Sequence, residues 1–341
     1  MLNQGNRGGS MRSLSGASRS ATALAAAAVL ALGVAASTAG CARVGELKAK
    51  KAFKEANQAY QQQDYRKAAQ LYEDAIAAAP DSQTGHESQF FLANSYDNQY
   101  KPSKKGDAEN DALLTKAVQH YELAAQTLAQ STDPNDKLYG KRALEFLVLC
   151  YGPDKLNDPA KAEPVVQKMI QLEPSEPTNY FALAKIYEDA GAYPEAEQTL
   201  LKARDVKPAD PAVYMTLAAY YNRQNEFDKT IEALEQRAAK EPNNPEAYFT
   251  IATYYWDNAQ RNFRLTEAQK KDNVEKGLKA VDRSIELKPD YMEALVYKGL
   301  LLRLEANMEK DPKKQQDLIK QAVTLHDKAE DLRKKKASGV S

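Results

Sequence analysis

Residues 177–208 read PTNYFALAKIYEDAGAYPEAEQTLLKARDVKP, and residues 211–242 read PAVYMTLAAYYNRQNEFDKTIEALEQRAAKEP. The two stretches carry one pattern at a shift of 34 residues. Tyr180, Leu183, Ala184, Tyr187, Leu200 and Pro208 return as Tyr214, Leu217, Ala218, Tyr221, Leu234 and Pro242, and Pro174 continues the step upstream. Self-similarity at a period of this size marks an array of small, identical supersecondary units.

One copy explains why the unit must be stacked. Tyr180, Leu183, Ala184 and Tyr187 fall at i, i+3, i+4 and i+7, which is one face of an α-helix. Gly191 breaks that helix, because a backbone without Cβ tolerates a turn. Ala196, Leu200 and Ala203 form a second helical stripe, which Pro208 ends. The alanines let two helices approach, and the tyrosines and Leu200 fill the space between layers. A single pair cannot bury its own apolar face, so stability comes from interfaces between neighbours.

These letters resemble the tetratricopeptide (TPR) repeat over residues 48–336. The resemblance implies an all-α fold, a right-handed α-solenoid of about seven helix-turn-helix repeats. It is strongest at 177–210, 211–244 and 245–257, and good at 51–81, with Ala56, Tyr60, Ala68, Tyr72, Ala75 and Pro80. Weaker copies are marked by Leu92, Ala93, Tyr96, Ala117, Tyr121 and Ala124, and by Leu147, Tyr151, Ala162, Val166 and Pro174. Two more follow, with Tyr248, Ile251, Ala252, Tyr255, Gly277, Val281 and Pro289, and with Leu295, Gly299, Leu302, Ala322 and Ala329. Arg237 and Ser284 stand where the family prefers a small apolar residue. Three copies carry extended inter-helix segments, at 97–114, 257–274 and 303–318. Residues 261–281 are rich in good helix formers, which favours extra helical turns over loops there.

Residues 1–40 stand outside the array. Arg7, Arg12 and Arg19 precede an uninterrupted apolar run from Ala21 to Ala36, followed by Ser37, Thr38, Ala39, Gly40 and Cys41. A basic start, an apolar stretch and small residues before a break describe a secretory signal, with Met1 or Met11 as its start. The ending at Cys41 is similar to a bacterial lipobox, except that Thr38 replaces the preferred Leu. That resemblance implies a signal over 1–40, lipid attachment at Cys41, a short tether over 41–47, the array, and a flexible tail over 337–341. An uncleaved anchor and cleavage without a lipid are the alternatives. The expected location is the cell envelope, on the extracytoplasmic or periplasmic side. Ala42 is not an acidic retention residue, which favours the outer membrane.

The chain has 47 basic and 47 acidic side chains and no aromatic–basic interleaving, which argues against nucleic acid as a partner. Cys150 lies in the apolar run Phe146-Leu147-Val148-Leu149-Cys150-Tyr151 and reads as a buried thiol. His86, His120 and His326 share no metal-ligand spacing, and no phosphate loop or nucleophile motif occurs. The expectation is therefore no enzyme, no metal, no cofactor and no small-molecule substrate.

In the TPR family the first helices line a concave groove. Carried over, its lining implies a protein-binding site at Phe90 and Asn94, at Phe181 and Lys185, at Met215, Asn222 and Arg223, and at Phe249, Thr253 and Trp256. A recurring Phe, Phe, Met, Phe suits a peptide or helix, with Trp256 as its anchor; the same side chains could instead pack against neighbouring helices. A carboxylate clamp of the co-chaperone type is incomplete, since Lys54 and Arg142 match it but Gln58, Phe91 and Phe146 do not. Together these features describe a membrane-anchored envelope adaptor or scaffold that binds a segment of another protein, in envelope protein assembly or secretion. The alternative is a self-associating structural component.

Overall fold

The structure is a computed structural model and describes residues 42–339. The expected leader over 1–40, Cys41 with its expected lipid, and the last two residues of the expected tail lie outside the described residues. The described chain is all-α. Its helices are α1 (42–61), α2 (Tyr65–Ala78), α3 (Gln83–Gln99), α4 (Ala108–Leu128), α5 (Pro134–Tyr151), α6 (Pro159–Leu172) and α7 (Pro177–Asp189). They continue with α8 (Tyr193–Val206), α9 (Pro211–Arg223), α10 (Phe227–Lys240), α11 (Pro245–Arg261), α12 (Glu267–Leu287), α13 (Met292–Met308) and α14 (Pro312–Ala337). Two compact units divide after Asp158, between the two helices of the third repeat, so unit 1 holds α1–α5 and unit 2 holds α6–α14.

Local chemistry sets the helix starts. The pairs Asp133-Pro134, Glu176-Pro177, Asp210-Pro211, Asn244-Pro245 and Asp311-Pro312 open α5, α7, α9, α11 and α14. In each, the first side chain accepts a backbone N–H, and the Pro removes an N–H that would have no helical partner. Each such cap contributes about 1 kcal/mol. The turns within pairs repeat as well. Asn157, Gly191 and Asn225 stand 34 residues apart, with φ of 54°, 76° and 59°. Glycine takes this left-handed conformation without cost, and Asn is a residue that tolerates it.

The same period is visible in side-chain bonds. Tyr180, Tyr214 and Tyr248 donate to the carbonyls of Pro174, Pro208 and Pro242 at 2.9, 2.7 and 3.3 Å. Each bond ties the start of a first helix to the end of the preceding second helix. Ala184, Ala196, Leu200, Ala203, Leu217, Ala218 and Leu234 are buried in unit 2. Unit 1 is packed with aromatic rings instead: Phe53, Tyr72, Phe90, Phe91, Tyr121, Tyr139 and Phe146 meet in one cluster.

The long inter-helix segments go largely into helix. Helices α7–α10 have 13 or 14 residues, whereas α3 and α11 have 17, α4 and α12 have 21, and α14 has 26. Residues 42–47, expected as a tether, are helical instead. Glu46 pairs with Lys50 at 2.7 Å one turn on, and Gly45 is so close to the Ala78 carbonyl that a Cβ there would stand at 2.5 Å. That contact fastens the first turn to the end of α2.

The two departures from the repeat are accommodated in different ways. Ser284 is fully buried and donates to the Pro245 carbonyl at 2.8 Å. The Arg237 guanidinium pairs with Glu241 at 2.9 Å and reaches the Met215 sulfur at 3.5 Å. Both polar groups are thus satisfied where the pattern asks for a small apolar residue.

Candidate protein-binding surfaces

A polar tie recurs at four junctions between a second helix and the following first helix, α2–α3, α4–α5, α6–α7 and α8–α9. In unit 1, Tyr96 donates to Glu73, and Tyr151 donates to Glu122 at 2.9 Å. In unit 2, Tyr187 donates to Glu163 on α6 and Tyr221 to Glu197 on α8, both at 2.9 Å. These two ties step by 34 residues on both sides. The next step reaches Tyr255 on α11 and Ile231 on α10. Isoleucine accepts no hydrogen bond, and the Tyr255 hydroxyl makes none to another described residue.

Where the tie is missing, unit 2 has an open recess of about 1410 Å³ between the second helices α10 and α12. Phe227, Ile231, Tyr248, Ile251 and Tyr255 give it an apolar floor. The rings of Phe227 and Tyr255 meet edge to face at 5.7 Å. Asn273 also lines the recess; it is 7% exposed, and its amide has no hydrogen-bond partner among the described residues. Thr266 and Gln269 form a capping box that fixes the start of α12, and Gln269 and Leu265 are part of the recess lining. Phe263, in the same α11–α12 connection, is 93% exposed.

The charge around this recess is uneven. Seven carboxylates and three cations line it. Of the cations, Lys276 is held by Asp272 at 2.8 Å and Arg283 by Glu286 at 3.1 Å, while Asp282 is held by Lys298 at 2.6 Å. On the α10 wall, Asp228, Glu232 and Glu235 are exposed on one helical face, and no described basic side chain pairs with them.

The ties carry an electrostatic signature. Burial raises the hydroxyl pKa of Tyr187 and of Tyr221 above the ordinary phenol range, and the carboxylate each bonds raises it further. Burial also pushes the Glu197 carboxyl up, but hydrogen bonds from Lys229 and Tyr221 outweigh this and hold it below its usual range. The Arg223 guanidinium does the same for Glu188.

The sequence-predicted groove residues divide between the units. In unit 1, Phe90 is 4% exposed and stacked on Tyr139 at 5.3 Å, and Asn94 is buried, accepting a bond from Tyr60. Both are core residues rather than groove lining, because the aromatic cluster fills the space the pattern left open. In unit 2, Phe181, Met215, Phe249, Thr253 and Trp256 are half-buried on the first helices. Phe249 meets Tyr291 and Tyr297 at 5.1 and 5.3 Å, and Trp256 meets Tyr297 at 5.4 Å. Lys185, Asn222 and Arg223 are exposed. Lys185 pairs with Asp189, and Arg223 forks onto Glu188 at 2.7 and 2.8 Å, linking α9 to α7. The recess on the other side escaped the sequence reading. Its signal was the 34-residue series Glu163, Glu197, Ile231, in which the acceptor disappears.

Among the described residues, no group of three or more His, Cys, Asp or Glu side chains could hold a metal ion, and no helix is long and apolar enough to cross a membrane. Cys150 is buried, and burial pushes its thiol up to about 12.

Helix pairs joined by tight turns and stacked through recurring tyrosines define an all-α repeat protein. Tetratricopeptide repeat families match residues 53–96, 155–220 and 211–254, so the chain carries tetratricopeptide repeats there. Among solved structures, the C-terminal part of a TPR repeat-containing protein from Cytophaga hutchinsonii is similar at 17% identity, with 82% of this chain and 98% of that one covered and a TM-score of 0.50. A tetratricopeptide repeat protein from Parabacteroides merdae matches at 14% identity, over 81% of this chain and 99% of that one, with a TM-score of 0.45. MamA from Desulfovibrio magneticus matches at 17% identity, over 60% and 98%, with a TM-score of 0.39. No curated protein matches the chain in sequence.

Proposed function

We propose that this protein is a membrane-anchored adaptor of a bacterial cell envelope that binds a segment of another protein along the first-helix face of unit 2. The observation that carries the reading is the surface row of Phe181, Met215, Phe249 and Trp256. These side chains remain half-exposed beside the exposed Lys185, Asn222 and Arg223. Apolar anchors bordered by charged and amide groups suit a peptide or helix, with the anchors supplying most of the affinity. The Arg223–Glu188 fork holds two first helices in register, so the row is presented as a preformed surface.

The anchor at Cys41 belongs to the same proposal, with the outer membrane as the favoured site. It is supported by the leader sequence and by the outer face of α1. Val44 and Leu47 are exposed there, with Arg43, Lys48, Lys51 and Lys54 beside them. Such a face suits a bilayer carrying anionic headgroups. Mass spectrometry of the protein extracted from its native membrane tests the anchor: an acylated N-terminal peptide beginning at Cys41 is expected, and an unmodified one refutes it. For binding, in-cell crosslinking compares the intact protein with a Phe181→Glu, Trp256→Glu double variant of unchanged circular dichroism. Loss of one specific crosslinked envelope protein is expected. The same partners in both would remove the first-helix row as the site.

A further inference from the structure

We infer that the recess between α10 and α12 is a second docking site, separate from the first-helix row, and that its occupant is a short amphipathic segment carrying lysine or arginine on one side and apolar side chains on the other. Three independent features converge on it. The first is the missing tie. Replacing the expected acceptor by Ile231 leaves the Tyr255 hydroxyl without a hydrogen-bond partner among the described residues and puts two apolar side chains side by side in the lining. The second is charge. Asp228, Glu232 and Glu235 follow each other along one face of α10, about three turns of helix from end to end of the wall including Phe227 and Ala238, while most of the charge on α12 is neutralised by its own neighbours. A basic segment is drawn to such a wall, and an acidic one is excluded from it. The third is Asn273. An amide carries both donors and an acceptor; Asn273 is 7% exposed, and its amide has no hydrogen-bond partner among the described residues. Facing the recess, it can meet the N–H and C=O of a bound main chain, which supplies binding independent of the partner's side chains.

The position of the recess matters. It lies on the second-helix side of the array, where the residues carried over from the family's groove do not reach. An occupant here leaves Phe181 and Trp256 free, so two different segments can be held at once.

The test uses the full chain in detergent micelles and two fluorescent synthetic peptides of equal length. One bears leucines along one helical face and lysines at i, i+4 and i+7; the other has glutamates in place of the lysines. Fluorescence anisotropy is expected to show binding of the lysine peptide, weakened by salt, and none of the glutamate peptide. A neutral variant, Asp228→Asn with Glu232→Gln and Glu235→Gln, preserves side-chain size and is expected to weaken binding at least about 10-fold. Asn273→Ala is expected to weaken it without changing the salt dependence. A photoreactive leucine in the peptide is expected to crosslink to Phe227 or Tyr255. Absence of binding, equal binding of both peptides, undiminished binding to the neutral variant, or crosslinks on Phe181 and Trp256 would each overturn the assignment.

Discussion

The α8–α9 and α10–α11 junctions of unit 2 are built from the same 34-residue repeat, yet one is tied and the other is open. At the first, Tyr221 donates to Glu197, and Lys229 joins the same carboxylate at 3.0 Å. At the second, the equivalent pair is Tyr255 and Ile231, and a recess takes the place of the tie. The difference teaches that a repeat array creates a site by subtraction. The stack persists through its alanines and leucines, so removing one acceptor costs little stability and exposes an apolar surface.

The largest effect should come from the packed interiors beside the two junctions. Leu200→Ala at the tied junction is expected to cost about 3 kcal/mol, because the neighbours cannot collapse into an enclosed cavity. Ile231→Ala, which borders space that is already open, should cost about 1 kcal/mol less. Urea unfolding midpoints of the two variants decide the matter, and equal losses would mean that the recess is closed in solution.

A smaller contrast is expected in the tyrosines. Tyr221→Phe should lose about 1.5–2 kcal/mol, the low end for a bond to an ionised partner, whereas Tyr255→Phe should stay within about 0.5 kcal/mol of the parent. The pH dependence sharpens this. Hydrogen bonds from Lys229 and Tyr221 outweigh burial and hold the folded Glu197 carboxyl below its ordinary value. Its contribution is therefore fully present above that value and is lost as the pH falls through the folded one. Stability curves of the parent and of Tyr221→Phe should converge in that acid window, and parallel curves would show that the tie is not the source.

The smallest change in stability, and the most pointed one, is Ile231→Glu. It supplies the missing acceptor opposite Tyr255. The net effect should be below about 1 kcal/mol, because a new hydrogen bond offsets the burial of a carboxyl. Against that background Tyr255→Phe should now be destabilising, and a double-mutant cycle reads the coupling directly. If no coupling appears, the helices at this junction are spaced differently from those at α8–α9.

Much of this architecture is legible in the letters. The step from Pro174 to Pro208 to Pro242 is the step of the tyrosine–carbonyl bonds, and Gly191 marks the left-handed turn. Asn157 and Asn225 take the same backbone conformation and are harder to see, because Asn is common in many other settings. Phe90 shows the limit of carrying a pattern over. Its spacing matches that of Phe181, but Tyr139 and Phe146 cover it in unit 1, and a spacing rule does not include the size of the opposing residues. The recess was hidden for a related reason. It depends on what is absent at Ile231 and on the lengthened α11 and α12, and a search for recurring letters passes over a letter that fails to recur.

The open junction also has a mechanical meaning. In a linear stack each layer holds only its neighbours, so cooperativity runs no further than the weakest interface. A segment lying across α10 and α12 would bridge that joint and act as a splint, adding an interface where the repeat leaves out a polar tie. Cargo and scaffold would then be inseparable in their dynamics, since the empty protein could hinge where the loaded one could not.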